Sequence, residues 1–454
     1  MEKSLRCLLL KENENGVLIR MSNRLNVSVI IPVFNREKQI QKCLDSVLNQ
    51  SLENIEIVCV DDGSIDETPK ILDEYAQNDA RVKVIHKSNT GYGNSLNEGV
   101  KKATGEYIGI VESDDYIESK MYEELYIAAH KNDADIVKAD FFVFYENYDY
   151  EHVYNILSDK NKDLYNVVTN YKNDRRVFEA YMTSWSGIYK RDFLISNDIW
   201  HNETPGASFQ DNGFWIQTML YSRKTFFINR PFYHLRRDNA DSSVYDLRKI
   251  YALCDEYDFM RKCLIKYSQD MDELLSWLWK RRFLSCLSDM CRIGYEYRCE
   301  FIERLSSDIK KGVELGEIKK DTVDSRTWNA IEELISNEKF FYEKYYKIKD
   351  SAIKRLDDAE KIVIYGAGGY ATRILGDIQT SRFANKLVGI AVTSKEGNPV
   401  IKSRLKVQEI KECAFPKDAL FIISIKQGIE EIEAILKKNG YSNYMSCYEL
   451  HDLL

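Results

Sequence analysis

The sequence predicts an α/β protein: a doubly wound, mixed sheet over residues 26–245, a helical segment over 246–355 and a small second α/β unit over 356–454, all preceded by an extension, 1–25. Three observations carry this. Between Val27 and Val111 short β-branched runs alternate with helical patterns, the rhythm of βαβ units around a parallel sheet. Between Asp246 and Ala359 apolar residues recur at helical spacing instead. From Lys361 a strand-like run enters a glycine-rich turn and the strand-and-helix rhythm returns. A length of 454 residues also exceeds what one hydrophobic core serves.

The run Val27-Ser28-Val29-Ile30-Ile31-Pro32 is continuous rather than alternating, as in a strand covered on both faces, and proline is expected to end it. A helix over 39–49 and a strand over 55–60 follow, the strand closing in Asp61-Asp62-Gly63-Ser64. Helix 68–77, strand 82–86, helix 93–103 and strand 107–111 repeat the unit. Farther on, Ile250, Leu253, Tyr257, Met260 and Leu264 share one helical face. The stretch 274–293 is the most apolar of that segment, but Lys280, Arg281, Arg282, Asp289 and Arg292 interrupt it, so a buried helix outranks a membrane span. Trp277 and Trp279 beside those bases leave a peripheral membrane contact open.

Hydrophobic residues at 44%, charged residues at 30% and aromatic residues at 12% describe a soluble globular chain rather than a disordered one. A net charge of −8 with both signs interspersed argues against nucleic acid as a partner. Ten scattered cysteines form no C-x-x-C pair, and several lie in apolar runs as reduced cysteines do, so the expected compartment is the cytoplasm. The cluster Leu8-Leu9-Leu10 is too short for a signal peptide.

Two acidic turns fall where strands of such a sheet end, the place where open α/β sheets bind ligands. One is Asp61-Asp62, the other Glu112-Ser113-Asp114-Asp115. Carboxylates are hard oxygen ligands that suit Mg²⁺ or Mn²⁺, which bind through one or two of them plus phosphates. Asp114 fits that need; Glu112, two residues earlier on the same face, can orient toward a ribose or a metal-bound water. The bland alternatives are helix caps: Ser113 or an aspartate for a helix from Met121, and Asp66 to Thr68 for the helix after Asp62.

Read together, Pro32-Val33-Phe34-Asn35, Asp61-Asp62-Gly63-Ser64, Asn97-Glu98-Gly99, Gly105-Glu106-Tyr107 and Glu112-Ser113-Asp114-Asp115 resemble a family 2 glycosyltransferase over residues 26–245. The resemblance implies a GT-A fold, a nucleotide-sugar donor, commonly UDP-linked, a divalent metal (Mn²⁺ or Mg²⁺) and inversion at the anomeric carbon. It places Pro32, Val33 and Asn35 in the nucleotide pocket, Glu37 at the ribose, Asp62 at the nucleobase edge and Asp114 on the metal, with Ser113 beside it. Glu112 departs from the family pattern, which begins this motif with aspartate.

Ser208-Phe209-Gln210-Asp211-Asn212-Gly213-Phe214 resembles the family's acidic motif, and makes Asp211 the candidate base for an acceptor hydroxyl. Gln210 stands where the family has glutamate, so Asp211 loses a like-charged neighbour; its own bland reading is a helix cap. Tyr233-His234-Leu235-Arg236-Arg237 with Ser242-Ser243 resembles the loop that closes over the diphosphate. Arg236, Arg237 and Ser243 share that role, and His234 is assigned to the metal or the phosphate, against a structural role. Trp185 is either an acceptor-side wall or core.

The carboxyl-terminal run Ile362-Val363-Ile364-Tyr365 enters Gly366-Ala367-Gly368-Gly369-Tyr370-Ala371, a G-x-G-x-x-A pattern, with later strands at 387–392 and 419–424. No acidic residue ends the second strand, at Ala391-Val392-Thr393-Ser394, so a Rossmann-like unit that does not bind NAD is expected. It resembles units appended to bacterial polysaccharide-assembly enzymes. The function expected is inverting transfer of a hexosyl or N-acetylhexosaminyl group to a hydroxyl of a glycan or lipid-linked acceptor. A nucleotidyltransferase and an inactive nucleotide-sensing scaffold are the rivals. Sugar, linkage, contact with the inner membrane face and homo-oligomer formation are left open.

Overall fold

The computed structural model describes residues 10–12, 18–20, 25–145, 150–237, 249–267, 271–290, 293–368, 371, 374–375, 378, 381–396, 405, 407–425 and 428–450. The chain divides into two compact units, 1–143 with 151–236 and 144–150 with 237–454. The helical segment and the small sheet expected as separate domains thus fall within one unit.

The first unit opens with an antiparallel pair, Leu10–Glu12 with Leu18–Arg20. Its main elements are β1 (Val27–Val33), α1 (Ile40–Leu48), β2 (Ile55–Asp61), α2 (Thr68–Asn78), β3 (Val82–His86), α3 (Tyr92–Lys102), β4 (Tyr107–Ile110), β5 (Tyr116–Ile117) and α4 (Met121–Asn132). They continue as β6 (Ile136–Tyr145), β7 (Tyr150–Tyr154), β8 (Val168–Thr169), β9 (Gly187–Lys190), α5 (Arg191–Ser196), α6 (Gln210–Tyr221) and β10 (Thr225–Arg236).

The sheet order is β8-β10-β6-β9-β4-β1-β2-β3, with β5 on β10 and β7 on β6. Strands β3, β2, β1 and β4 are parallel, and β9 pairs antiparallel with both β4 and β6. Every residue of β1 and β2 is buried, as their continuous apolar runs require. The one polar side chain inside β1, Ser28, donates from Oγ to Glu56 Oε1 at 2.5 Å and accepts from the Gly105 amide at 2.8 Å. Glu56 is also paired with Lys83, and these partners hold its carboxyl down at about 2 against burial, which acts the other way.

Pro32 was expected to end the first strand, yet β1 runs through it to Val33. The ladder to β4 stops at Ile30, and Pro32 pairs only with β2, so its missing N–H interrupts no bond on the β4 side. Chain order reverses between β1 and β4. The cleft beyond their carboxyl ends is therefore the topological switch point, and both acidic turns leave from it.

In the second unit, α7 (Ala252–Tyr267), α8 (Met271–Asp289), α9 (Arg298–Glu314), α10 (Ser325–Ser336), α11 (Glu338–Tyr345) and α12 (Lys347–Asp358) precede β11 (Ile362–Tyr365), β12 (Leu387–Val392), β13 (Val407–Glu409), β14 (Leu420–Ile423), α13 (Ile429–Lys438) and β15 (Tyr444–Ser446). The five strands are parallel in the order β13-β12-β11-β14-β15. One face packs on Ala352, Ile353 and Leu356 of α12, the other on Leu436 of α13. Trp279 of α8 is 3% exposed and its indole donates to Glu317 at 2.7 Å, which makes it core rather than a membrane-surface residue. No described helix is long and apolar enough to cross a membrane.

Candidate active site

The turn after β4 is held by β10. The Glu112 amide donates to Tyr233 Oη at 3.0 Å, and that hydroxyl donates to Asp115 Oδ2 at 2.6 Å. Asp115 Oδ1 accepts the Arg236 amide at 2.7 Å. Helix α4 begins only at Met121, behind Lys120, and none of Ser113, Asp114 or Asp115 caps it. The capping alternative therefore fails: buried Asp115 is the peg that fastens the turn to the end of β10. Burial and the adjacent Asp114 push its carboxyl well above the usual range.

Glu112 accepts a hydrogen bond from Tyr92 Oη at the start of α3, and its longer side chain lets it reach there. Burial first, then the charges of Asp114 and Asp211, push its carboxyl up to about 8; the Tyr92 bond and the Arg36 guanidinium act against them. Tyr92 Oη also lies 3.4 Å from Ser184 Oγ. Asp211 sits in the first turn of α6, whose flanking residue is Phe209 at φ 64°, so Asp211 is not the cap. Its charge acts on Glu112, Tyr92, Tyr189 and Lys138 together. Residues 99 positions apart in the chain are thereby gathered at one cleft.

What joins α3 to the segment before α6 is close backbone packing. Gly91 has φ 100°, and a Cβ there would lie 2.7 Å from the Thr204 carbonyl; one on Gly93 would lie 2.0 Å from that of Asn202. The Tyr92 amide donates to the Gly206 carbonyl at 2.9 Å. Gln210, in place of the expected glutamate, ties the same segment down through Thr204 Oγ1 at 2.9 Å and the Ser208 amide at 2.6 Å.

Of the residues expected at the nucleotide, Pro32 and Val33 are buried at the end of β1 and Ser113 is buried in the turn after β4. Asn35, at φ 51°, accepts the Ile65 amide on Oδ1 at 2.9 Å, and Ser64 Oγ receives the Asn35 amide at 2.9 Å. Glu37 Oε2 accepts the Glu67 amide at 3.1 Å. Asp62 is 5% exposed and accepts the Thr90 and Gly91 amides, each at 2.8 Å, as well as Lys87 Nζ. It is thus the clasp for the amino end of α3.

For two residues the surroundings favour the structural alternative. His234, expected at the metal, has Nε2 on Glu118 at 2.8 Å and Nδ1 on Glu151 at 2.6 Å, with its ring stacked between Tyr116 and Phe142 at 4.1 and 4.5 Å. Both nitrogens meet carboxylates, which makes it a pin between β5, β7 and β10. Trp185, weighed as an acceptor wall, is 7% exposed, stacked on Tyr233 at 4.6 Å and edge-on to Phe141 at 4.8 Å: it is core. Arg236 is brought to the acidic turn through its amide, whereas the Arg237 amide donates to the Phe144 carbonyl in the second unit. Ser243 lies outside the described residues, as do Gly369 and Tyr370 of the glycine-rich turn. Arg36, Tyr92, Lys138 and Ser184 are the site-lining residues that sequence reasoning missed. For Lys138 a signal existed, a lone cation in the apolar run Ile136-Val137-Lys138-Ala139.

Residues 28–192 match the model of Glycosyl transferase family 2. The chain is 31% identical over 223 residues to the glycosyltransferase GlyG of Streptococcus pneumoniae serotype 4 (strain ATCC BAA-334 / TIGR4), an alignment covering 46% of this chain and 70% of that protein. The chain belongs to glycosyl transferase family 2. It is also 45% identical over 116 residues to the uncharacterized glycosyltransferase EpsJ of Bacillus subtilis (strain 168), covering 26% of this chain. That alignment spans 34% of EpsJ's own length. Among solved structures, S. aureus TarS 1-349 in complex with UDP-GlcNAc superposes with a TM-score of 0.54 at 20% identity, over 73% of this chain and 92% of that one. The likeness is one of fold, and the mixed sheet is a GT-A fold. A glycosyltransferase domain sets aside the nucleotidyltransferase reading.

Among the described residues no three His, Cys, Asp or Glu side chains form a ready-made metal cage. A cation held by one or two carboxylates and completed by a ligand's phosphates needs none. Asp114, whose charge already strains Glu112 and Asp115, offers hard oxygen donors and negative charge in excess, and this donor set fits Mg²⁺ or Mn²⁺.

Proposed function

We propose that the chain is an inverting glycosyltransferase that moves a sugar from a nucleotide-sugar, UDP-linked, to a hydroxyl of a glycan or lipid-linked acceptor in the assembly of a bacterial surface polysaccharide. The observation that carries this reading is the convergence of Asp211 with the Glu112-Asp114-Asp115 turn at the switch point of a GT-A sheet. TarS, crystallised with UDP-GlcNAc, supports a UDP-linked hexosyl or N-acetylhexosaminyl donor.

In the reaction, the acceptor hydroxyl gives its proton to the Asp211 carboxylate as its oxygen bonds to the anomeric carbon. The bond from that carbon to the diphosphate oxygen breaks, and its electron pair leaves with the nucleoside diphosphate. Attack from the face opposite the leaving group inverts the centre. Asp114, aided by Glu112, would hold Mg²⁺ or Mn²⁺, which neutralises charge on the diphosphate. Pro32, Val33, Asn35, Glu37, Asp62 and Ser113 frame the nucleotide, and Arg236 adds a cation near the acidic turn.

The test is nucleotide release from a panel of UDP-, GDP- and CDP-sugars with Mn²⁺ or Mg²⁺ and with EDTA. Wild-type protein releases nucleotide from one donor in a metal-dependent way; Asp211→Asn and Asp114→Ala each lose at least about 100-fold. Undiminished turnover by both variants would remove the site assignment.

A further inference from the structure

Among the described residues of the first unit, one lysine lies wholly inside. Lys138, near the start of β6, has no exposed surface. Its place follows from register. Gly187 of β9 stands opposite it, and a Cβ on Gly187 would come within 2.7 Å of Lys138 Cδ and 2.4 Å of the Val137 carbonyl. The missing side chain is the room the lysine stem takes.

Lys138 Nζ meets Thr183 O at 3.1 Å, Thr183 Oγ1 at 3.0 Å, Tyr189 Oη at 3.1 Å and the Trp185 carbonyl. Both hydroxyls have their protons directed elsewhere: Thr183 Oγ1 donates to the Trp185 carbonyl at 3.0 Å and Tyr189 Oη to that of Ser184 at 2.8 Å. All four groups therefore turn lone pairs toward Nζ. An ammonium offers three N–H donors to these four acceptors, whereas a neutral amine offers two and would set its own lone pair against an acceptor. Burial pushes Lys138 down to about 7, and the Asp211 carboxylate works against that shift. The cage adds to the side of the charged form.

We propose that Lys138 is a positioning residue for sugar transfer: its buried ammonium fastens the Thr183-Ser184-Trp185 segment and supplies the counter-charge for Asp211. The inference rests on Asp211 being the base. The same segment reaches the acidic turn, because Ser184 Oγ touches Tyr92 Oη, which donates to Glu112. The titratable groups that bear on the lysine are thus Asp211 on α6 and Tyr189 on β9, followed through Ser184 by Tyr92 on α3 and, beyond it, Glu112.

The experiment compares full-length wild type, Lys138→Met, Lys138→Arg and Asp211→Asn, using the donor selected by the release panel, and reads kcat against pH, UDP binding by calorimetry and fold by circular dichroism. Lys138→Met is expected to fold and to bind UDP within about threefold of wild type, while kcat falls about 10- to 100-fold and the acidic limb moves up by about one pH unit. Lys138→Arg recovers part of kcat. Should Lys138→Met not fold, Lys138→Gln, which keeps hydrogen-bond donors without the charge, carries the same comparison. An unmoved acidic limb overturns the proposal, whether kcat is retained or is lost in step with UDP binding. Retained turnover by Asp211→Asn overturns the base assignment, and this inference with it; an inactive Asp211→Asn beside an unaffected Lys138→Met overturns this inference alone.

Discussion

His201 should make the first unit acid-sensitive, by an amount the structure allows to be worked out. The ring is 2% exposed, lies flat on Phe214 at 4.1 Å and edge-on to Tyr92 at 6.2 Å, and neither nitrogen has a hydrogen-bond partner. Burial pushes its pKa down from 6.5 to about 3. The folded chain keeps His201 neutral while the unfolded chain takes up a proton below pH 6.5, so stability is full above that value and declines as pH falls toward 3. At pH 5.5 the unfolded state gains RT ln(1 + 10), about 1.4 kcal/mol, against about 0.1 at pH 7.5. Any folded-state value below about 4.5 gives the same difference.

The assay is urea unfolding at pH 7.5 and 5.5 for wild type and for His201→Phe, which keeps an aromatic ring against Phe214 and removes the titration. Taking the difference between the two proteins cancels the other histidines. Because a chain of two compact units need not unfold in one step, the transition of the first unit is the one compared. Wild type should lose about 1.3 kcal/mol more than the variant between the two pH values. Equal losses, within about 0.3 kcal/mol, would refute the reasoning and mean that His201 reaches water or a partner in the folded state.

Glu56 should act in the same direction at lower pH: its depressed carboxyl stabilises the fold above about 4.5, and that contribution, about 2 kcal/mol after discounting for the solvent around Lys83, disappears as pH falls toward 2 and is absent from Glu56→Gln. Trp185→Ala should destabilise the first unit by about 3–5 kcal/mol in denaturant melts, as core truncation does, rather than weaken only the acceptor's KM. His234→Gln should leave the metal concentration for half-maximal activity within about threefold of wild type, whereas Asp114→Ala should raise it by at least tenfold; equal shifts would return His234 to the metal. Gly93→Ala should abolish transfer, since its Cβ would drive α3 off the segment leading to Asp211, and nucleotide release is the readout.

Local pattern was enough to read the βαβ core. The mainly apolar runs of β1 and β2, interrupted only by Ser28 and by Glu56 before the closing Asp61, read as strands covered on both faces, and strand ends followed by acidic turns place Asp62 and Asp114 at the ligand edge of such a sheet. The helix that carries Asp211 was legible in the same way, from the apolar pattern that follows it. What local pattern could not supply was direction and company. Whether a tryptophan faces a cleft or a core, or a histidine a cation or two carboxylates, depends on residues far along the chain: Tyr233 and Phe141 for Trp185, Glu118 and Glu151 for His234. The ammonium of Lys138 is the extreme case. A strand sequence shows only that a lysine interrupts it; the glycine opposite and the four acceptors that make its burial tolerable come from residues 183–189, and only folding brings them together.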